Sequence, residues 1–175
     1  MQSSQRNIKY PYLPEGKSIE YVDELNKYMM RAKEIAKASN NQSFPIGSVI
    51  VCDDQILAEA SNKTPISNTF LKNFHKKHCI RRILGIPSGQ KYWLCPGCAS
   101  YENHSEYRAT VILHNKFSQK TNQNCDLYLW GHWWCCKSCW DKMLEAGIRK
   151  VFLLKESEIL FNINNSKNIM NKQFE

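Results

Sequence analysis

Apolar residues at Val22, Leu25, Met29, Ala32, Ile35 and Ala36 recur at helical spacing, which predicts an amphipathic helix over 18–39 capped by Ser18. The pattern then changes. Phe44–Val51 is rich in Val and Ile, Asp53-Asp54 supplies a turn, and Ile56–Ala58 follows, predicting two antiparallel strands. Periodicity is lost across 62–103, which hold Pro65, Gly85, Pro87, Gly89, Pro96 and Gly97. A stretch of that length without regular elements reads as a functional or metal-stapled loop. Helical character returns at Glu106–His114, then a strand at Asp126–Trp130, a helix at Lys137–Ala146 stopped by Gly147, and a strand at Lys150–Leu154. An arm over residues 1–17 and a loose tail over 166–175 flank one domain at 18–165, with one further helix or strand after Leu154. The order predicts an α/β fold: a three-layer α/β/α sandwich, its mixed sheet covered by helices on both faces.

Two short motifs bring chemistry to this frame. His104-Ser105-Glu106 opens one predicted helix, and Cys136-Lys137-Ser138-Cys139 opens another. One imidazole and two thiols supply three ligands for zinc, and a three-ligand set leaves a corner for water, as catalytic rather than structural zinc sites do. Glu106, two residues past the histidine, is placed to move protons beside the metal. At a helix start, residues three apart share a face, and the free N–H groups there favour thiolate. The pattern therefore points to a hydrolytic enzyme.

A second set lies in the middle loop. Cys95-Pro96-Gly97-Cys98, with Cys79 and either His75 or His78, can complete a closed four-ligand structural zinc site; the alternative is ordinary reduced thiols. Cys52 and Cys125 read as small buried hydrophobes. The basic cluster Lys72, His75, Lys76, Lys77, His78, Arg81 and Arg82 can hold a 5′-phosphate or line a nucleic-acid path, or form a solvated helix face.

Composition narrows this further. With 175 residues, 42% of them hydrophobic, the chain suits one full core, and it contains no apolar run of membrane-spanning length. The opening residues lack the apolar centre of a secretory signal, so the expected location is cytoplasmic and no membrane partner is expected. In that setting the 8 cysteines favour metal binding over a disulfide framework. A net charge of +8 suits an anionic partner, whether nucleotide or nucleic acid.

The two motifs in this order form the H-x-E…C-x-x-C pattern of zinc-dependent nucleoside and nucleobase deaminases, and residues 20–155 resemble that superfamily. Phe44–Ile50 resembles its first strand and Glu59–Asn62 its substrate-contacting segment. Cys79–Gly89 with Leu94-Cys95 resembles the stretch before the histidine in deoxycytidylate (dCMP) deaminases, as do Leu127–Leu129 and Ala146–Val151 around the cysteines. The resemblance implies a cytidine-deaminase-type sandwich, zinc held by His104, Cys136 and Cys139, Glu106 as proton shuttle, and Asn62 on the sugar. It also implies a nucleotide substrate, dCMP first, and a homo-oligomer. Deamination of a nucleoside, free base or nucleic acid is the alternative, as is a silent zinc-stabilised binding module, against which Glu106 argues. Three departures stand out. Cys135 replaces the usual proline, Ser105 replaces alanine, and Trp130–Trp134 lengthens the approach to the cysteines. Cys135 is thus a rival ligand to Cys136, His132 either a supporting donor or inhibitory ligand at the site or a satisfied structural histidine, and Trp133 and Trp134 either base-stacking groups or cover for a core edge or subunit contact.

Overall fold

A computed structural model of the chain describes residues 11–41, 43–86, 90–117, 124–170 and 172–175. Its centre is a mixed five-stranded sheet, ordered β1-β5-β4-β2-β3. The strands are β1 Ser18–Val22, β2 Gly47–Cys52, β3 Gln55–Ser61, β4 Cys125–Trp130 and β5 Ile148–Leu154. β1 and β4 run parallel to β5, whereas β2 is antiparallel to both β3 and β4. The helices are α1 Lys27–Lys37, α2 Thr69–Lys77, α3 Ile80–Ile83, α4 Ser105–Lys116, α5 Lys137–Glu145 and α6 Ser157–Phe161. Among the described residues, no helix is long and apolar enough to cross a membrane.

The period-2 geometry of the strands divides their apolar residues between two cores. Ile50, Leu127, Leu129, Val151 and Leu153 face α4 and α5, packing with Ala109, Leu113, Trp140 and Met143. Val49, Val51, Tyr128, Trp130 and Leu154 face the other way, against Met29, Ala32 and Ala36 of α1 and Phe161 of α6. Burial on both faces makes β2 and β4 near-continuous apolar runs. This is the expected three-layer sandwich.

Three expectations are corrected. Residues 18–39 are not one helix: Ser18–Val22 is an edge strand, paired from Ser18↔Lys150 to Val22↔Leu154. The helix starts later, where Asn26 Oδ1 accepts from the amides of Tyr28 at 3.0 Å and Met29 at 3.2 Å. Leu25, assigned to the apolar stripe, is 85% exposed. Cys52 and Cys125 are buried as expected but oxidised, forming a disulfide between directly opposed residues of β2 and β4. The middle segment is not structureless, since it carries α2, α3 and 3-10 turns at Tyr92–Leu94 and Tyr101–Asn103.

The C-terminal residues also carry structure. Met170 is buried in the α1-side core, and Gln173 Oε1 accepts from Trp130 Nε1 at 3.0 Å. Of the expected arm at 1–17, residues 1–10 lie outside the described residues, as do Pro87, Ser88 and Gly89 of the middle loop.

Candidate metal centre

The middle segment and β4 deliver the chain to two helix starts, those of α4 and α5, whose first residues meet. His104 is the N-cap of α4 and Cys136 the N-cap of α5, with Cys139 one turn inside α5. Cap residues have extended backbone, so their side chains turn toward the free N–H end of the helix rather than along its flank. Around tetrahedral zinc, bonds of about 2.3 Å to sulfur and about 2.0 Å to nitrogen place ligating atoms about 3.5–3.8 Å apart. His104 Nδ1 stands 3.7 Å from Cys136 Sγ and 3.5 Å from Cys139 Sγ. The donor set and its spacing fit zinc. Among the described residues, this metal-sized group contains His104, Cys136 and Cys139 and no fourth ligand.

The electrostatics favour the ligating forms. The Cys139 thiol donates to Cys136, and with a further contribution from His104 this outweighs burial and holds the Cys136 thiol down at about 4. The same hydrogen bond, joined by burial, pushes the Cys139 thiol well above its usual range, so the pair shares one proton until a cation displaces it. Burial opposes charge on His104, but the Cys136 thiolate and Glu106 carboxylate outweigh it and raise its pKa. Glu106 lies in the first turn of α4, only 4% exposed. Burial pushes its carboxyl up, against a downward pull from His104. A buried carboxyl that can both accept and return a proton, beside a three-ligand metal set, is equipped for hydrolysis.

Residues 22–155 match the family model described as the cytidine and deoxycytidylate deaminase zinc-binding region. The chain belongs to that family.

It is accordingly a zinc-dependent hydrolytic deaminase. No curated protein sequence matches it significantly. Solved structures similar to the deaminase include the apo dCMP deaminase of cyanophage S-TIM5, 23% identical with TM-score 0.45, over 72% of this chain and 78% of that one. A tRNA:A34 deaminase, which edits A to I at the wobble position of transfer RNA, is 19% identical with TM-score 0.43 over 72% of each chain. The guanine deaminase of Bacillus subtilis is 20% identical with TM-score 0.42, over 72% of this chain and 60% of that one.

The remaining candidates separate clearly in the deaminase. Cys135 is fully buried in the core with Leu129 and Trp140, its thiol beside the Glu106 carboxyl, and is outside the ligand group. His132 is outside it too: its Nδ1 accepts from the Trp134 amide at 3.2 Å, and burial pushes its pKa down to about 4, keeping the ring neutral. Trp134 is buried against Cys136 and Cys139, and Trp133 bridges this cluster to the α1-side core. Phe44 packs on that core.

Asn62 is 4% exposed and fully engaged at its oxygen, which accepts from Ile46 N at 2.9 Å and Ser39 Oγ at 2.6 Å. Its Nδ2 donates to Phe44 O at 2.8 Å, leaving one N–H for another acceptor. The next residue reaches the metal segment, since Lys63 N donates to Asn103 O at 2.9 Å.

Sequence reasoning missed one feature of the site. Ser48 Oγ donates to Ser105 Oγ at 2.7 Å, and Ser105 Oγ donates to Glu106 Oε2 at 3.1 Å, all three residues being buried. The signal was present, because Ser105 replaces the family's alanine, but its partner on β2 is 57 residues away. In Ser105→Ala, Ser48 loses its acceptor, at a cost of about 1–3 kcal/mol. Ser105 also lowers the Glu106 pKa. Its loss is therefore expected to move the acid limb of the kcat/KM–pH profile upward with zinc content unchanged. A profile superimposable on the parent's would deny Ser105 that role.

Proposed function

We propose that the protein deaminates a pyrimidine nucleotide, dCMP first, taking up water and releasing dUMP and ammonia. The geometry above and the family resemblance support these roles. His104, Cys136 and Cys139 hold zinc, which when bound lowers the pKa of a water molecule to about 7. Glu106 takes the proton of the attacking water, then delivers protons to ring N3 and to the departing amine. Ser105, fixed by Ser48, holds the Glu106 carboxyl in one orientation. Trp134 shields the sulfur ligands from solvent, and the spare N–H of Asn62 serves the sugar.

One observation carries the choice of dCMP. The segment beginning at Cys79, which resembles dCMP deaminases, stands against the metal site: Tyr92 meets the His104 ring edge-on at 5.5 Å between centroids. A net charge of +8, the exposed Lys76 and Lys77 and the half-buried Lys72 on the same helix suit a phosphate. Ammonia release from dCMP, cytidine, guanine and tRNA tests the reading. We expect dCMP to give the highest kcat/KM, about tenfold or more above cytidine, the worth of one phosphate contact. No turnover of dCMP, with another of the four turned over, would remove the nucleotide assignment and leave the deaminase intact.

A further inference from the structure

His75, Cys79, Cys95 and Cys98 bring four ligating atoms within 4.8 Å of one another, well outside the catalytic group in sequence. The Cys79 sulfur lies 3.5 Å from that of Cys98 and 3.9 Å from that of Cys95, and Cys98 Sγ lies 3.6 Å from His75 Nε2. Disulfide bonds need about 2.05 Å, so these thiols are not paired. Ligands on tetrahedral zinc stand about 3.5–3.8 Å apart, and the separations of 3.5, 3.6 and 3.9 Å lie in or beside that range. His75, not His78, joins the cysteines; the His78 ring lies against Phe74 at 4.7 Å.

The local chain is shaped for this set. Cys95 and Cys98 flank a turn closed by Cys98 N donating to Cys95 O at 2.9 Å, and the amides of Gly97 and Ile80 donate to the Cys95 sulfur. A Cβ on Gly97 would fall 2.3 Å from His75 Cδ2, so the imidazole can lie on the turn only because glycine stands there. Zinc with three thiolates and a neutral imidazole carries one net negative charge. Arg81, 7% exposed, brings a compensating positive charge, its Nη1 lying 3.5 Å from Cys98 Sγ. Nitrogen and sulfur donors without carboxylates select zinc over magnesium or calcium.

We infer that these four residues bind a second zinc ion in a closed structural site, which fastens the segment between α2 and α4 against the active-site wall. The segment needs such a fastening. Among the described residues, α2 and the Tyr92–Leu94 turn bury no side chain, and α3 buries only Arg81. The same Arg81 carries the effect inward: its guanidinium carbon lies 4.1 Å over the Tyr92 ring, and Tyr92 packs on His104. The second metal thus sets the position of Tyr92 without touching substrate. The inference is independent of which base is deaminated.

Zinc content of the purified full chain is the test. The unaltered protein should hold two zinc ions per chain, Cys95→Ser/Cys98→Ser one, Cys136→Ser/Cys139→Ser one, and the combined variant none. In Cys95→Ser/Cys98→Ser the remaining ion sits in the catalytic site, so KM should rise more than kcat falls. One ion per chain in the unaltered protein after zinc reloading would overturn the inference. So would two ions retained by Cys95→Ser/Cys98→Ser. If that variant is insoluble, zinc-edge absorption of the unaltered protein decides: an average of about 2.5 sulfurs per zinc supports two sites, and about 2 rejects the second.

Discussion

Glu106→Gln is expected to lower turnover by about 10²–10⁴-fold while zinc content stays at the parent level. The amide has the shape of the carboxyl and can still accept from Ser105 Oγ, which lies 3.1 Å from Glu106 Oε2. It cannot take a proton from water and return it to the amine. Glutamine is neutral, so burial at a site where Glu106 is 4% exposed carries no charge penalty, and the fold should persist. The proposed ligands His104, Cys136 and Cys139 are untouched. Ammonia release paired with metal analysis gives the answer, and activity within a few-fold of the parent would show that another group moves the protons.

Gly131→Ala should lower stability by about 2–5 kcal/mol, from two separate penalties. Gly131 has φ +87°, where a Cβ costs about 1–2 kcal/mol. The added methyl would also fall 2.3 Å from Pro45 O and 3.2 Å from Ile46 Cα, backbone atoms that cannot rotate aside. Overpacking of this kind costs a further 1–3 kcal/mol, roughly. For a chain of this size, Tm should drop by roughly 5–15 °C. Gly131 also begins the six-residue approach to Cys136, on the strand end that β2 and the Pro45 loop embrace, so zinc occupancy should fall with it. Thermal unfolding by circular dichroism with zinc analysis measures both; an unchanged Tm would mean the Pro45 loop yields freely.

Residues that act through local geometry can be read from the amino-acid sequence alone. His104 and Glu106 share one helix start, and Cys136 and Cys139 share another, so their spacing puts ligands and carboxyl at two free N–H ends. The apolar runs within Gly47–Cys52 and Cys125–Trp130, rich in Val, Ile and Leu, likewise mark strands, whose side chains leave alternate faces whatever surrounds them. The helical stripe at Met29, Ala32 and Ala36 is legible for the same reason.

What fails to read locally depends on partners far along the chain. Ser18–Val22 carries a pattern compatible with a helix, yet becomes a strand because β5, about 130 residues on, offers a parallel edge. Cys52 and Cys125 are 73 residues apart and meet only because β2 and β4 pair in that register. The choice of His75 over His78, and of Ser48 as the support for Ser105, is likewise made by packing. Spacing specifies which side chains leave the same side of one helix or strand. Which of those sides face each other is decided when the sheet orders its strands and the two cores close, since that step joins residues with no fixed separation in sequence.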